Sequence, residues 1–411
     1  MRIIYLSQYF PPEVGATQNR AYEMASNLVR LGHSVTMLTE IPNHPSGVIP
    51  PEYKRKLIER SPLSGIDVIR VWVYTSQKKT FSSRLLFYIS YMLNAILAGI
   101  FLVKGPYDLI YASSPPLFVG GAALALSFIK NIPFIFEVRD LWPETAIELG
   151  ELSNRTAIAW SNRLELACYT RARKIIVVTK GIRNRLIERQ IDTSKIAVIP
   201  NGSNSDLFRF DPVGRERVRQ QLNLINKFVV IYAGIHGIAQ GLDSVIEAAR
   251  MMQHRDDIHF LFVGEGPQKS KLQALASGSN LPNIHFIPEQ LREVIPAYLS
   301  ASDVALVPLR KLNLFKSALP SKIFDAWACE RPVLSTVDGE AKQIVDEARG
   351  GLTIPPEDPE KLAAALDTLK SSPDLRQSFG ENGRLFTLKY YSRRAQAEQL
   401  SRILEDQLKA I

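Results

Sequence analysis

Short runs rich in Val, Ile, Phe and Tyr recur along the chain, each followed by a stretch with helical spacing. The first series is "RIIYLSQ", "SVTML", "DVIRVWV", "DLIYAS", "PFIFEV", "KIIVVT" and "KIAVIP". Runs that are apolar at successive positions mark parallel strands covered on both faces, and the helices between them supply the cover. A second series, "FVVIYAG", "IHFLFVG", "NIHFIP", "DVALVP" and "RPVLST", follows the polar segment "NGSNSDLFRFDPVGRERVRQQLNLINK". The fold class is therefore α/β, with two Rossmann-like doubly wound parallel-sheet domains facing each other across a cleft. Ligands are expected outside the strand C-terminal ends. The first domain is expected at residues 1–205, completed by a C-terminal helix at 390–411, and the second at residues 206–389. A length of 411 residues agrees, since single cores stop growing at roughly 250 to 300 residues.

Composition narrows the class. Hydrophobic content of 46% and charged content of 22% are those of a globular chain, not a disordered or fibrous one. Cys168 and Cys329 are too few for a disulfide framework or a zinc cluster, which suits a reducing cytoplasm. No secretory signal is read before the first strand. Up to Ile225 there are 28 Lys and Arg against 18 Asp and Glu, and beyond it 22 against 23. The basic first half either faces something anionic or carries a solvated basic surface. No nucleic-acid partner is expected, and the oligomeric state is left open.

The stretch "LLFYISYMLNAILAGIFLV", Leu85 to Val103, is uncharged over the length of a membrane span. Three readings stand: a helix covering the sheet, a helix lying on a membrane surface, or a true span. The strand-like "YDLIYASSPP" that follows opposes a span, because the helix sits between strands of one sheet. Lys78, Lys79 and Arg84 before it suit an anionic leaflet, so residues 78–103 are the expected membrane contact.

Chemistry is sought where strands end. "YFPPEVGATQNRAYEM" places Gly15 at the head of a helix, whose free N–H groups favour an anion. "YAGIHGIAQGLD" sets Gly234, Gly237 and Gly241 within eight residues between a strand and a helix, so that backbone can approach a ligand, and His236 among them can bond a phosphate or a sugar. "FEVRDLWPE" ends a strand with Arg139 and Asp140, beside Trp142. "VIPNGSN" puts Asn201 and Gly202 at the interdomain crossing. In "SALPSKIFDAWACERPVLST", Ser321 is the expected N-cap of a buried helix. Lys322 then stands in the first turn, where the dipole disfavours a cation by about 0.3 to 1 kcal/mol. A diphosphate would resolve that conflict, and Asp325 one turn later suits a ribose diol.

Taken in order, "PPEVG…LGHSVTMLT", "IPNGSNSDLF", "YAGIHGIAQGLD", "FVGEGP" and "PSKIFDAWACERPVLS" resemble the family-4 retaining glycosyltransferases with the GT-B fold, over nearly the whole chain. "EVRDLWPE", "SSPP", "GIAQGL" and "ALPSKIF" are more narrowly similar to bacterial transferases of O-antigen, capsule and exopolysaccharide synthesis, among them L-N-acetylfucosamine transferases. The resemblance implies a nucleotide-sugar donor, a UDP-sugar, held by the second domain. It implies a glycan or polyprenyl-diphosphate-linked acceptor held by the first, at the inner face of the plasma membrane. Donor residues implied are Gly15, Gly234, Gly237, Gln240, Gly264, Glu265, Ser317, Ser321, Lys322 and Asp325. Arg139, Asp140 and His236 are the expected catalytic set, although many members of the family resembled carry His where Arg139 stands.

The chain also departs from the family. Two family glutamates eight positions apart map to Ser317 and Asp325. Arg and Lys that often meet the phosphates map to Ile235 and Gln240, so the charge falls to Lys322 with Arg310 or Lys316. Glu330 replaces a glycine at a helix end where a positive φ is expected. Transfer would proceed by cleavage of the anomeric bond, with preorganised donors stabilising the departing phosphate oxygen and attack from the same face. No cofactor is expected, and no metal, because no DxD motif occurs. A sugar-nucleotide 2-epimerase, or a catalytically silent paralogue in an assembly complex, are the alternatives.

Overall fold

The computed structural model describes every residue except Val14, Lys79, Leu149, Glu151, Ala410 and Ile411. Lys79, counted above in the basic flank, thus lies outside the described residues. The chain divides into two compact units, Met1–Pro200 with Arg394–Ile411, and Asn201–Arg393.

In unit 1 the strands are β1 (Arg2–Leu6), β2 (Ser34–Glu40), β3 (Ile58–Leu63), β4 (Ile66–Val71), β5 (Leu109–Ser114), β6 (Phe134–Val138), β7 (Lys174–Val177) and β8 (Ile196–Val198). Its helices are α1 (Ala16–Arg30), α2 (Phe81–Phe101), α3 (Phe118–Lys130), α4 (Glu144–Glu148), α5 (Arg155–Arg171) and α6 (Lys180–Glu188). The described residues form one eight-stranded sheet, ordered β3-β4-β2-β1-β5-β6-β7-β8. All neighbours are parallel except β3 and β4. β3 was not anticipated: it alternates half-buried with exposed residues and carries Pro62, which a sheet tolerates at an edge. Ser64 and Gly65 turn it into β4 with φ of 50° and 80°, the two-residue turn whose twist matches the strands.

On one face of this sheet α1 packs Ala21, Met24 and Leu28 against Ile3 and Tyr5, together with Ala397, Leu400 and Leu404 from the far end of the chain. On the other face α2 and α3 cover Ile4, Leu6, Ile110 and Ala112.

Unit 2 has strands β9 (Phe228–Ala233), β10 (Ile258–Val263), β11 (Ile284–Ile287), β12 (Val304–Pro308), β13 (Val333–Thr336) and β14 (Gly351–Thr353). They form a parallel sheet ordered β11-β10-β9-β12-β13-β14. The helices are α7 (Pro212–Gln221), α8 (Leu242–Met251), α9 (Lys269–Gly278), α10 (Ile295–Ala301), α11 (Lys322–Ala328), α12 (Glu340–Ala348), α13 (Pro359–Ser371) and α14 (Pro373–Tyr390). The last helix, α15 (Arg393–Lys409), belongs to unit 1 from Arg394 onward.

The units divide after Pro200, not after residue 205 as the sequence suggested. Ser203 bridges to Ser392, donating from its N–H to the Tyr391 carbonyl (3.0 Å) and accepting at its carbonyl from the Arg393 N–H (2.9 Å). The two crossing segments therefore lie side by side within unit 2, with the Gly202 carbonyl held by Arg393 Nη2 at 2.7 Å.

α2 is only half a covering helix. Tyr91, Ala95, Ala98 and Gly99 are buried, and Tyr91 donates to the Leu38 carbonyl of β2 at 3.0 Å. The opposite face leaves Leu86, Leu93, Leu97 and Phe101 between 51% and 64% exposed. By length and composition it is long and apolar enough to cross a membrane, but its packing on β2 and α3 ties it to the sheet.

Candidate functional site

The site of unit 2 grows from the C-terminal ends of β9, β10 and β12. After β9 the chain turns at Gly234, φ 144°, and after β10 at Gly264, φ 141°. A Cβ on Gly264 would run into the Gly234 carbonyl, and one on Gly234 into Lys322 Nζ. Only glycine lets these loops close on one another and on the lysine. The loops are then pinned: the His236 N–H donates to the Glu265 carbonyl at 2.8 Å, and the Gln268 N–H to the His236 carbonyl at 2.9 Å. Lys269 Nζ reaches the Gly264 carbonyl (3.0 Å) and Glu265 Oε1 (2.5 Å).

Lys322 does not point outward from α11. Its Nζ donates to the Ala233 carbonyl at 2.7 Å and stands 5.2 Å from the centroid of the Tyr232 ring. The ammonium thus sits beneath the glycine loop, and burial pushes its pKa down to about 8, partly offset by the Asp325 charge. α11 has only seven residues, so the expected conflict with its dipole is minor; the lysine's position is set by the carbonyl, the ring and the glycine. Asp325, one turn on, accepts from Ser203 Oγ at 2.7 Å. Ser321 occupies the N-cap position, but its side chain makes no capping bond.

Other expectations need correction. Arg310 is committed elsewhere: its guanidinium holds Glu357 (2.7 Å) and Asp243 (3.0 Å) and donates to the Ile238 carbonyl (2.8 Å). Two carboxylates already compensate its charge, so it staples the loop after β9 and does not meet phosphate in this arrangement. The His236 side chain is fully buried, with Tyr232, Phe262 and Phe286 ring centroids 5.8 to 6.3 Å away. Burial, with the Lys269 charge, holds its pKa down to about 4. It is a neutral imidazole enclosed by these rings, and neither ring nitrogen has a hydrogen-bond partner among the described residues. Ser317 donates to the Leu314 carbonyl at 2.8 Å, closing a short 3₁₀ turn, while Lys316 is exposed beside it. Gln240 folds toward Gly237, and Ile235 and Ile238 stand 53% and 54% exposed. The loop therefore offers an apolar rim at Ile235 and Ile238. Asn201 Nδ2 donates to the Leu319 carbonyl (3.2 Å), tying the crossing to the segment before α11.

Sequence reasoning missed Gly339, φ 74°, which lets the loop after β13 lie against the Lys316 carbonyl. Its signal was present: a glycine between a strand and a helix, as after β9. Glu330 does adopt φ 58°, and Arg384 Nη1 pairs with its carboxylate at 2.9 Å.

In unit 1, Gly15 precedes α1, where Gln18 folds back against it. Arg139 donates from Nε to the Ser114 carbonyl at 2.9 Å, and burial lowers its pKa. Asp140 accepts from Thr145 Oγ1 at 2.5 Å, and burial raises its pKa against that bond. The described residues contain no Arg139–Asp140 ion pair; Arg139 is instead fixed to the end of β5 and Asp140 to α4.

Two buried constellations were not foreseen. Arg20 pairs with Glu137 at 2.8 Å, both almost fully buried, and Tyr111 and Ser113 donate to the same carboxylate at 2.8 and 2.5 Å. Burial pushes the Glu137 pKa up, but the charges of Arg20 and Arg139 and these bonds outweigh it and hold it at about 2. Arg20 also donates to the Pro200 and Ile199 carbonyls, anchoring the last residues of unit 1. Glu13 lies in "PPEVG" and accepts from the Asn43 and His44 N–H groups, both at 2.7 Å. Burial raises its pKa to about 7 even against those bonds. Glu40, held by Gln8 at 2.7 Å and Asn43 at 2.9 Å, is raised further by burial and by Glu13.

Two α/β units with glycine-bearing strand ends define the fold class, and comparison with known proteins supplies the family. Residues 15–202 match the glycosyl transferase 4-like domain, and residues 214–386 match the glycosyl transferases group 1 domain. The chain belongs to the glycosyltransferases of GT-B fold. It is 24% identical over 376 residues, 89% of this chain and 91% of the relative, to WcaI of Escherichia coli (strain K12), whose name assigns it to colanic acid biosynthesis as a glycosyl transferase. Among solved structures it superposes on sucrose-phosphate synthase of Thermosynechococcus elongatus with a TM-score of 0.78 at 21% identity, over 100% of both chains. It superposes on Anabaena HepE in complex with UDP-glucose with a TM-score of 0.75 at 17% identity, over 99% and 100%.

Proposed function

We propose that this glycosyltransferase moves a sugar from a UDP-sugar to a hydroxyl of a lipid-linked, growing cell-surface glycan, with retention of anomeric configuration. The observation that carries the donor assignment is the Lys322 ammonium seated under Gly234, with Asp325 one turn along α11. A diphosphate beside the glycine loop would draw the ammonium's charge back into use, and the Asp325 carboxylate would accept from the ribose diol. Lys316 and loop N–H groups would complete the phosphate contacts, and Ile235 and Ile238 would border the donor. The solved relative with UDP-glucose supports a uridine nucleotide. The similarity to WcaI supports a surface polysaccharide as the product.

Unit 1 would hold the acceptor. The Glu137 carboxylate stays ionised and orients Arg20; Arg139 is positioned by the Ser114 carbonyl and Asp140 by Thr145. In the transfer, the anomeric bond to the diphosphate breaks, and the departing phosphate oxygen takes the acceptor hydroxyl's proton as the new glycosidic bond forms on the same face. Lys322 would stabilise the negative charge gathering on that oxygen. The exposed apolar face of α2, with Lys78 and Arg84 at its start, supports contact with an anionic membrane surface. A panel of UDP-sugars, with UDP-N-acetyl-L-fucosamine included and GDP-sugars as contrast, tests the donor. Acceptor-dependent release of UDP is expected; release of GDP alone would refute the uridine assignment.

A further inference from the structure

Unit 1 contains a cavity of about 640 Å³ that the reaction above does not use. It is walled by Leu85 and Met92 of α2, Phe118 of α3, Trp142, and Trp160 and Leu164 of α5. Its size is that of a small-molecule site, roughly 300 to 1,000 Å³, and its walls are mostly apolar, with Asn154, Thr156 and Ser161 among them. Trp160 is 65% exposed at its rim, and the Leu86, Leu93 and Leu97 stripe of α2 runs alongside. Exposed apolar surface of this extent marks an interaction site.

A second cavity of about 220 Å³ adjoins it and is the more polar of the two, with Tyr9, Asn43 and His44 in its wall. Arg84 and Tyr88 line both. Aromatic rings run without a break from one to the other: His44 to Tyr9 (4.7 Å), Tyr9 to Phe87 (6.3 Å), Phe87 to Tyr88 (5.4 Å), Tyr88 to Phe118 (5.8 Å) and Phe118 to Trp142 (6.0 Å). An apolar chamber, a cation at the junction and a polar chamber together describe an amphiphile. The ligand has a hydrocarbon chain, then an anionic group, then a polar head.

We infer that this paired cavity holds the phosphate-proximal isoprene units of a prenyl-diphosphate-linked acceptor, with Arg84 at the first phosphate and the first sugar toward Tyr9 and His44. The inference rests on the lipid-linked acceptor proposed above and assigns it a place. Trp142 and Trp160 provide the readout. Farnesyl monophosphate, kept below its micelle concentration, is expected to shift the tryptophan emission of the full chain saturably. Farnesol, inorganic phosphate and dodecyl phosphate should each bind at least tenfold more weakly. Ala157→Trp and Ile89→Trp fill the chamber from opposite walls and should weaken farnesyl phosphate tenfold or more, with thermal unfolding as the check on folding. Arg84→Gln should weaken farnesyl phosphate and leave farnesol unchanged. Equal binding of dodecyl phosphate would overturn the isoprenoid assignment. Undiminished binding by both filled variants would overturn the cavity. Sugar transfer to a prenyl-diphosphate-linked acceptor without any farnesyl phosphate binding would also overturn it, while leaving the proposed function intact. Farnesyl phosphate binding without such transfer would strike the proposed function and spare the cavity.

Discussion

Lys322 makes a prediction whose sign and size can be worked from its surroundings. The fall of its pKa from the usual 10.5 to about 8 means that burial disfavours the ammonium by roughly 3 kcal/mol. In the donor-free protein it is about nine-tenths protonated at pH 7 and about one-tenth at pH 9. If only the ammonium meets the diphosphate, the apparent Kd rises by the loss of that competent fraction, about tenfold from pH 7 to pH 9. The diphosphate diester of a UDP-sugar does not titrate in this range, so the change belongs to the protein. Lys322→Ala removes a charge-assisted bond of about 1.5 to 3 kcal/mol. It should weaken binding roughly ten- to a hundredfold at pH 7 and abolish the pH dependence. Folding stability runs the opposite way: the penalty is complete below about pH 8 and is relieved as pH climbs toward 10.5, where the unfolded chain also loses its proton. Isothermal titration with a UDP-sugar from pH 6.5 to 9.5, beside urea unfolding at the same pH values, reads both slopes. A flat affinity profile, or an unchanged Kd in Lys322→Ala, would refute the assignment of this lysine to phosphate.

Asp325→Asn should lower affinity for UDP about tenfold and erase the preference for UDP over 2′-deoxy-UDP, measured by competition; a retained preference would remove Asp325 from the ribose. Glu137→Gln leaves Arg20 buried without its counter-charge and should destabilise unit 1 by about 3 to 5 kcal/mol in urea unfolding. In the parent protein, the depressed pKa of Glu137 contributes stability that is present above the ordinary carboxylate range and lost as pH falls toward about 2. Glu330→Gly relieves a left-handed residue but gives up a half-exposed pair with Arg384, so a net gain of about 0.5 kcal/mol is expected; destabilisation would mean that the ion pair outweighs the strain.

The strands that came through in the sequence are those buried on both faces, because a short, continuous apolar run rich in β-branched residues must be covered from both sides wherever it folds. β3 did not, since an edge strand with Pro62 and alternating charge carries little apolar signal; the Ser64-Gly65 turn was its better marker. The places of Gly234 and Gly264 after strands, and of Lys322 and Asp325 in a helix, were legible because a strand, a glycine and a helix follow one another. What spacing could not convey was the partner of each side chain. Arg310 looked available until Asp243 and Glu357, distant in sequence, closed on it. His236 looked presented until three rings from separate strands enclosed it. The Arg20–Glu137 and Glu13–Glu40 pairs join residues 117 and 27 positions apart, contacts that only the sheet order creates. Glu330 was the reverse case, where the resemblance, through a family glycine at that helix end, pointed to a positive φ.

The most direct measurement incubates the full-length protein with each of a panel of UDP- and GDP-sugars in EDTA, with and without a polyprenyl-diphosphate-linked saccharide, and follows both nucleotide and lipid by mass spectrometry. The account predicts that one UDP-sugar yields UDP only when the lipid is present, that the lipid gains the mass of one sugar, and that the new linkage keeps the donor's anomeric configuration. Recovery of an epimerised nucleotide-sugar, or a lipid unchanged by every donor, would contradict it.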